Sequence, residues 1–275
     1  MPSARLPRLS GMTPEDLATA GLRYEIDGAV ATITLDRPAS RNSQTPTMWR
    51  TLARLGEQIP DEVRVVVLTG EGSTFSAGLD RNLLTPGGGD GQESVAGLLA
   101  LPDDEVSSTI RAYQDGFVWL SDPRFVSIAV VRGYAIGAGF QLALACDLRV
   151  LSEDAQLCMK ESALGLVPDL AGTKPLVEAV GYARALEICA TARMVGASEA
   201  VAIGLALTAV PEAELDTVVT DLVTALTAPL PGAVRETKAL LLGAAGRELD
   251  EQCRLEREAQ TRRFRELAAL MTPAE

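Results

Sequence analysis

The apolar positions of the chain alternate first with period two and then with period near 3.6. Leu22–Ile26 and Val30–Leu35 read as two strands, and the Asp27-Gly28 pair between them is a hairpin turn signal. Thr45-Pro46 then opens a helix with Met48, Leu52 and Leu55 on one face. Val63–Thr69 (VRVVVLT) is β-branched and apolar, the pattern of a strand buried on both faces. A helix over Glu105–Leu120, a buried strand at Phe125–Val131, a short apolar helix over Gly137–Ala145 and a strand at Leu148–Ser152 follow. Strands alternating with helices predict an α/β core with crossover connections. Beyond about residue 195 the pattern turns helical. Ser198 reads as an N-cap, with helices expected near 199–204, 212–226, 231–242 and 247–270. In the last of these, Glu258 and Arg262 are spaced as an i,i+4 pair. The organisation expected is a flexible lead over 1–20, an α/β core over 21–195 and a helical region over 196–275, with Pro86–Gly91 (PGGGDG) as a mobile loop.

Composition narrows the chemistry. The formal charge is −12, which makes nucleic acid and anionic membrane poor partners. The longest uncharged apolar stretch, Gly133–Cys146, is too short to span a bilayer. The N-terminus has arginines but no apolar core of a secretory signal, and the four cysteines form no CxxC pair. Cys146, Cys158 and Cys189 lie in apolar stretches and read as small buried hydrophobes. A cytoplasmic protein is expected. There is no histidine, which removes Ser-His-Asp and Cys-His catalysis, His-containing zinc sites and histidine as a general base.

Three segments remain as candidates for chemistry. In GYAIGAGFQLALACD (Gly133–Asp147) small residues open an apolar helix straight after a buried strand. The first N–H groups of a helix have no internal partner, so this terminus suits an anion or a developing oxyanion. The same glycines would equally serve tight strand–helix packing. FSAGLD (Phe75–Asp80) repeats the device at a neighbouring strand end. Gly70-Glu71-Gly72 begins a dinucleotide fingerprint, but Phe75 stands where the third glycine belongs, so that site is rejected, and there is no P-loop. The third segment, KESALGLVPDLAGT (Lys160–Thr173), places Glu161 and Asp169 in mostly apolar surroundings, where carboxylates are costly unless paired or functional.

The chain resembles the enoyl-CoA hydratase/isomerase (crotonase) superfamily over roughly residues 22–265. The likeness is carried by LDRPASRNS (Leu35–Ser43), FSAGLD, GYAIGAGFQLALACDLR, AQLCMKESALGLVP and LEREAQTRRF, in matching order and spacing. It implies a spiral of ββα units, a C-terminal helical region used for trimer contacts, and acyl-CoA thioester substrates. It also implies an oxyanion hole from the N–H groups of Leu79 and Ala138, where relatives usually have glycine at the second position. Arg41, Ala77 and Asp80 fall in the stretches that line the CoA nucleotide in relatives, with Arg41 as the phosphate contact. No cofactor beyond the substrate's own coenzyme A is implied. A homotrimer or a dimer of trimers is expected.

The catalytic set implied is Glu161, Asp169 and Gln141. Hydratases of the family carry two glutamates. Glu161 aligns with the second, and Gln141 replaces the first. Asp169 falls where some dienoyl-CoA isomerases carry an acid. An amide cannot trade a proton as a carboxylate does, so one base opposite an oxyanion hole favours a 1,3-proton shift over hydration. The alternatives are a hydratase in which Gln141 and Asp169 position the water, and a non-catalytic acyl-CoA-binding protein.

Overall fold

A hairpin starts the sheet that carries everything else. In the computed structural model, which describes residues 11–84 and 94–271, β1 (Leu22–Asp27) pairs antiparallel with β2 (Val30–Leu35), Asp27 opposite Val30. From β2 onward the pairing is parallel through β3 (Val65–Gly70), β4 (Val126–Val131), β6 (Leu148–Ser152) and β9 (Thr208–Val210). A second sheet stacks β5 (Tyr134–Ile136), β7 (Gln156–Cys158) and β8 (Val195–Gly196). The α/β architecture expected forms, with helices at the C-terminal end.

The parallel strands are apolar on both faces because both are covered. Successive side chains of a strand point to opposite sides. Val66 and Leu68 enter the main core with Leu52, Leu55, Phe117 and Phe140, while Val65 and Val67 enter a second cluster with Ile128, Val130 and Val150. The helices on the first side include α2 (Pro46–Glu57) and α4 (Asp103–Val118), where the Trp49 ring meets Tyr113 at 5.0 Å and Phe117 at 6.1 Å, tilted to both. The second cluster is closed by Leu215, Val218 and Leu222 of α9 (Glu212–Thr227).

Several expectations are corrected. Within the stretch read as a flexible lead, α1 (Pro14–Thr19) forms, capped reciprocally by Thr13 and Asp16, and Met12, Leu17 and Ala20 are buried. Residues 1–10 of that stretch, and the Pro86–Gly91 loop, lie outside the described residues. The region after 195 is not purely helical. It supplies β8 and the edge strand β9, and α9 closes one face of the sheet, so part of the tail belongs to the core. Ser198 sits inside α8 (Ala197–Ala202), whose N-cap is Gly196. The Glu258–Arg262 pair does not form. Glu258 pairs with Arg254 one turn back, and Arg262 reaches across to Glu236. Cys146 and Cys158 are buried as expected, but Cys189 is only partly so. Among the described residues, no single helix is long and apolar enough to cross a membrane.

Two cations organise the frame. Arg149, on β6, is partly buried, forms no ion pair among the described residues and spends its guanidinium on carbonyls: Leu205 at 2.6 Å, Cys146 at 2.7 Å and Ala143 at 3.3 Å. Cys146 and Ala143 close the C-terminal end of α5 (Ala138–Ala145). Lys238 lies on α10 (Pro231–Leu242), the helix before the terminal α11 (Leu249–Met271). Its Nζ donates at 2.7 Å to each of the Asp122 carbonyl, the Phe125 carbonyl and Asp147 Oδ2, and Asp147 also accepts from the Ser127 N–H at 2.7 Å. Removing one member of a buried ion pair leaves the other without its counter-charge. Lys238→Met is therefore expected to cost about 3 kcal/mol, read as a lower midpoint of chemical denaturation. Loss of hydrogen-exchange protection should be concentrated in α10.

Candidate active site

The two small-residue segments meet because they run parallel. After β3, residues 75–78 lie alongside 132–136. The Phe75 N–H donates to the Arg132 carbonyl, the Ser76 N–H to the Tyr134 carbonyl, and the Ile136 N–H returns to the Ser76 carbonyl, all at 2.9–3.0 Å. Ser76 is thereby bridged to Ala135. Beyond this bridge the two segments stay close, since a Cβ on Gly78 would lie 3.6 Å from the Ala138 nitrogen. On the other side, the Gln44 N–H donates to the Gly78 carbonyl at 2.7 Å and the Asp80 N–H to the Gln44 carbonyl at 2.8 Å. Those bonds use the groups flanking Leu79 and leave its own N–H on the Ala138 side. Ala138 is the first residue of α5, where a helical N–H has no intrahelical acceptor. Among the described residues neither amide has an acceptor.

Glycine is required at two points here. Gly78 has φ +85°, and a Cβ there would sit 2.4 Å from the Ile136 carbonyl oxygen and 3.6 Å from the Ala138 nitrogen. Gly137, with φ +52°, gives its N–H to the Cys158 carbonyl at 2.8 Å and releases the chain into α5. A buried polar chain that the motif reading did not identify fixes the first segment. Trp49 Nε1 donates to Gln44 Oε1 (2.8 Å), Gln44 Nε2 to Ser76 Oγ (3.1 Å), and Ser76 Oγ to the Asn42 carbonyl (2.7 Å). The Gly78 N–H closes onto Ser76 Oγ at 3.2 Å. The signal for it was present as polar residues, Asn42–Gln44, set between a buried strand and a helix.

Glu161 joins these amides. It opens a one-turn 3-10 helix after β7 and is buried. A Cβ on Gly137 would lie 3.4 Å from its Oε1, which puts the carboxylate against the residue preceding Ala138. Oε1 accepts from Gln141 Nε2 at 2.6 Å, and Oε2 has no partner among the described residues. Burial pushes the Glu161 carboxyl above the ordinary range. Its own backbone N–H and the Gln141 amide oppose that shift, and the charge of Asp169 adds to it. Asp169 is partly buried, and burial raises its carboxyl too. Gln141 thus bonds Glu161, and Asp169 lies near enough for its charge to act on it. A buried carboxylate with a raised pKa can take a proton from a carbon, and an unpaired N–H can hold the carbonyl oxygen to which the negative charge is relayed.

The remaining candidates lie on the far side of Leu79. Arg41 is exposed, with φ +54°, and forms no ion pair among the described residues. Its carbonyl accepts the Ala77 N–H at 2.9 Å. The Asp80 carboxylate is engaged inside the protein. It pairs with Arg37 at 2.9 Å and accepts from Ser43 Oγ at 3.2 Å. Partial burial works against its charge, but Arg37, the Asn82 N–H and Ser43 together hold it below the usual carboxylate range. Among the described residues no cluster of His, Cys, Asp or Glu is arranged to hold a metal ion.

Known proteins resemble this chain in sequence and fold. Residues 25–271 match the family model for enoyl-CoA hydratase/isomerase. A protein of Thermobifida fusca YX assigned to the enoyl-CoA hydratases, solved in complex with acetoacetyl-CoA, is 53% identical. It superposes with a TM-score of 0.88 over 92% of this chain and 98% of its own. The peroxisomal Delta(3,5)-Delta(2,4)-dienoyl-CoA isomerase of Arabidopsis thaliana is 33% identical over 237 residues, 84% of each chain. A Rhodobacter capsulatus protein named for enoyl-CoA hydratase is 35% identical over 195 residues, 71% of this chain and 70% of its own. The fold, the paired amides and the matches together place this chain in the enoyl-CoA hydratase/isomerase family of acyl-CoA enzymes.

Proposed function

We propose that the protein shifts the double bond of an enoyl-CoA thioester, with Glu161 carrying the proton and the Leu79 and Ala138 N–H groups holding the thioester oxygen. The observation that carries this reading is a buried carboxylate, Glu161, with its Oε2 unpartnered among the described residues, lying against Gly137, next in the chain to Ala138, whose N–H, like that of Leu79, has no acceptor there. The acetoacetyl-CoA bound by the Thermobifida relative supports an acyl-CoA ligand. Arg41 and the Ala77 and Asp80 segment form the mouth proposed for the CoA nucleotide.

The step balances without a second acid. Glu161 Oε2 takes a proton from C2 of a 3-enoyl thioester. The C–H electron pair moves into the conjugated system, and negative charge collects on the thioester oxygen. There the two amides stabilise it, each by about 3 kcal/mol. Return of the same proton at C4 leaves the 2-enoyl thioester. Hydration would need a second group to activate or deliver water, and at position 141 the chain offers an amide. The relatives named as hydratases support a second reading, water addition with Asp169 assisting Glu161.

The two readings separate in one assay. Incubated with a 3-enoyl-CoA and with a 2-enoyl-CoA, the protein is expected to isomerise the first faster than it forms a 3-hydroxy product from the second. The reverse order rejects isomerisation as the main activity. Glu161→Gln should lower isomerisation by at least about a thousandfold. It should also abolish exchange of the C2 proton of butyryl-CoA or decanoyl-CoA with deuterated water. Retained exchange would mean that Glu161 is not the base. Because the base must be ionised and its pKa is raised, the rate should fall on the acid side at a pH above the ordinary carboxylate range.

Assembly into trimers belongs to the same proposal. Leu249, Phe264, Leu270 and Met271 of α11 are all exposed, 63% or more, an apolar surface that a neighbouring subunit would cover. Sedimentation at micromolar concentration should give a trimer or a hexamer, and a monomer would reject it.

A further inference from the structure

The residue at 141 occupies the place of a missing acid, yet its surroundings are built for an amide. Gln141 is 1% exposed. Its Oε1 accepts two backbone N–H groups, Leu170 at 2.9 Å and Gly172 at 3.3 Å. Two N–H groups so close in sequence point at one oxygen because the residue between them, Ala171, is held at φ +63°. A non-glycine residue in the left-handed region is strained, and such strain persists only where its surroundings impose it. Gly172 presses on the same side chain, since a Cβ there would lie 2.6 Å from Gln141 Cγ. With Oε1 fixed in this cradle, Nε2 can only face Glu161 and must donate to it. The outcome is a carboxylate with one oxygen tied at 2.6 Å and the other unpartnered.

We infer that Gln141 is a positioning residue: locked by the 170–172 turn, it fixes the rotamer of Glu161 and selects Oε2 as the oxygen that moves the proton. This rests on the reading of Glu161 as the proton carrier. It also gives the loop bearing Asp169 a purpose besides its acid, because Leu170 and Gly172 set the amide that sets the base.

The test uses the full chain and follows C2-proton exchange of butyryl-CoA or decanoyl-CoA in deuterated water as a function of pH. The titratable groups facing Glu161 are Asp169 on the loop, Cys158 on β7 and Cys189 on α7 (Tyr182–Thr191), with Lys160 adjacent in the chain. Both thiols are pushed up by burial and stay neutral across the acid limb. Gln141→Met keeps the bulk but removes both hydrogen-bonding functions. The acid limb is expected to move up by about one pH unit, with the exchange rate down about tenfold at neutral pH. The Kd for the acyl-CoA should be unchanged. Gln141→Glu keeps an oxygen for the cradle but sets a second carboxylate against Glu161, so its acid limb should move further still. An unmoved acid limb in both variants overturns the proposal, as does an equal loss of exchange and affinity. If Gln141→Met fails to fold, Gln141→Glu decides alone. If Glu161→Gln retains exchange, the reading of the base falls and this inference with it. If Glu161→Gln is inactive while the Gln141 variants behave as the parent, only this inference falls.

Discussion

A backbone N–H is useful to a ligand only if the fold denies it a partner, and two are useful together only if they are denied partners side by side. The pairing of residues 75–78 with 132–136 imposes both conditions. Every flanking group is spent: Gly78 and Asp80 on Gln44, Ser76 on Tyr134 and Ile136, Gly137 on Cys158. What remains is a donor at Leu79, left over by strand alternation, and the donors of the α5 start, of which Ala138 is the first. The cost is that glycine is needed at 78, where any side chain would strike the neighbouring segment.

The acid comes to this place by a different route. It is delivered by β7, the strand that pairs with β5 in register Ile136↔Cys158. Three residues beyond Cys158 lies Glu161, and two beyond Ile136 lies Ala138. Adjacent strands of the small sheet thus lead into Glu161 and Ala138, while the chain that leaves β3 of the main sheet supplies Leu79. Neither sheet holds the site alone. That makes the contact between segments 75–78 and 132–136 the joint on which the geometry turns.

Much of this was legible in the chain. The apolar run at Val65–Leu68 announced a strand covered on both sides, and the glycines of FSAGLD and GYAIGAG announced close approaches. Glu161 stood out because an acid in an apolar stretch demands a reason. Long-range partners were not legible. Glu258 and Arg262 have ideal helical spacing, yet each finds a better partner, and no local rule weighs Glu236 against Glu258. Ser198 looks like a cap, but the preceding strand β8 ends at Gly196 and starts the helix two residues early. β9 is too short for periodicity to register, and only its pairing with β6 makes it a strand. Gln141 could be seen as a substitution. Its cradle could not, because that depends on Ala171 adopting a backbone conformation alanine seldom takes.

The partly buried guanidinium of Arg149 bears on the electric field at the opposite end of α5. A helix of eight residues is only about 12 Å long, so its negative pole sits near enough to its positive pole to cancel part of it at a ligand just beyond the first turn. Arg149 lies against that negative pole, bonded to the carbonyls of Ala143 and Cys146, and neutralises it in surroundings where solvent screens little. Toward any anion held just beyond its first turn, the short helix then acts less as a dipole than as an isolated positive charge.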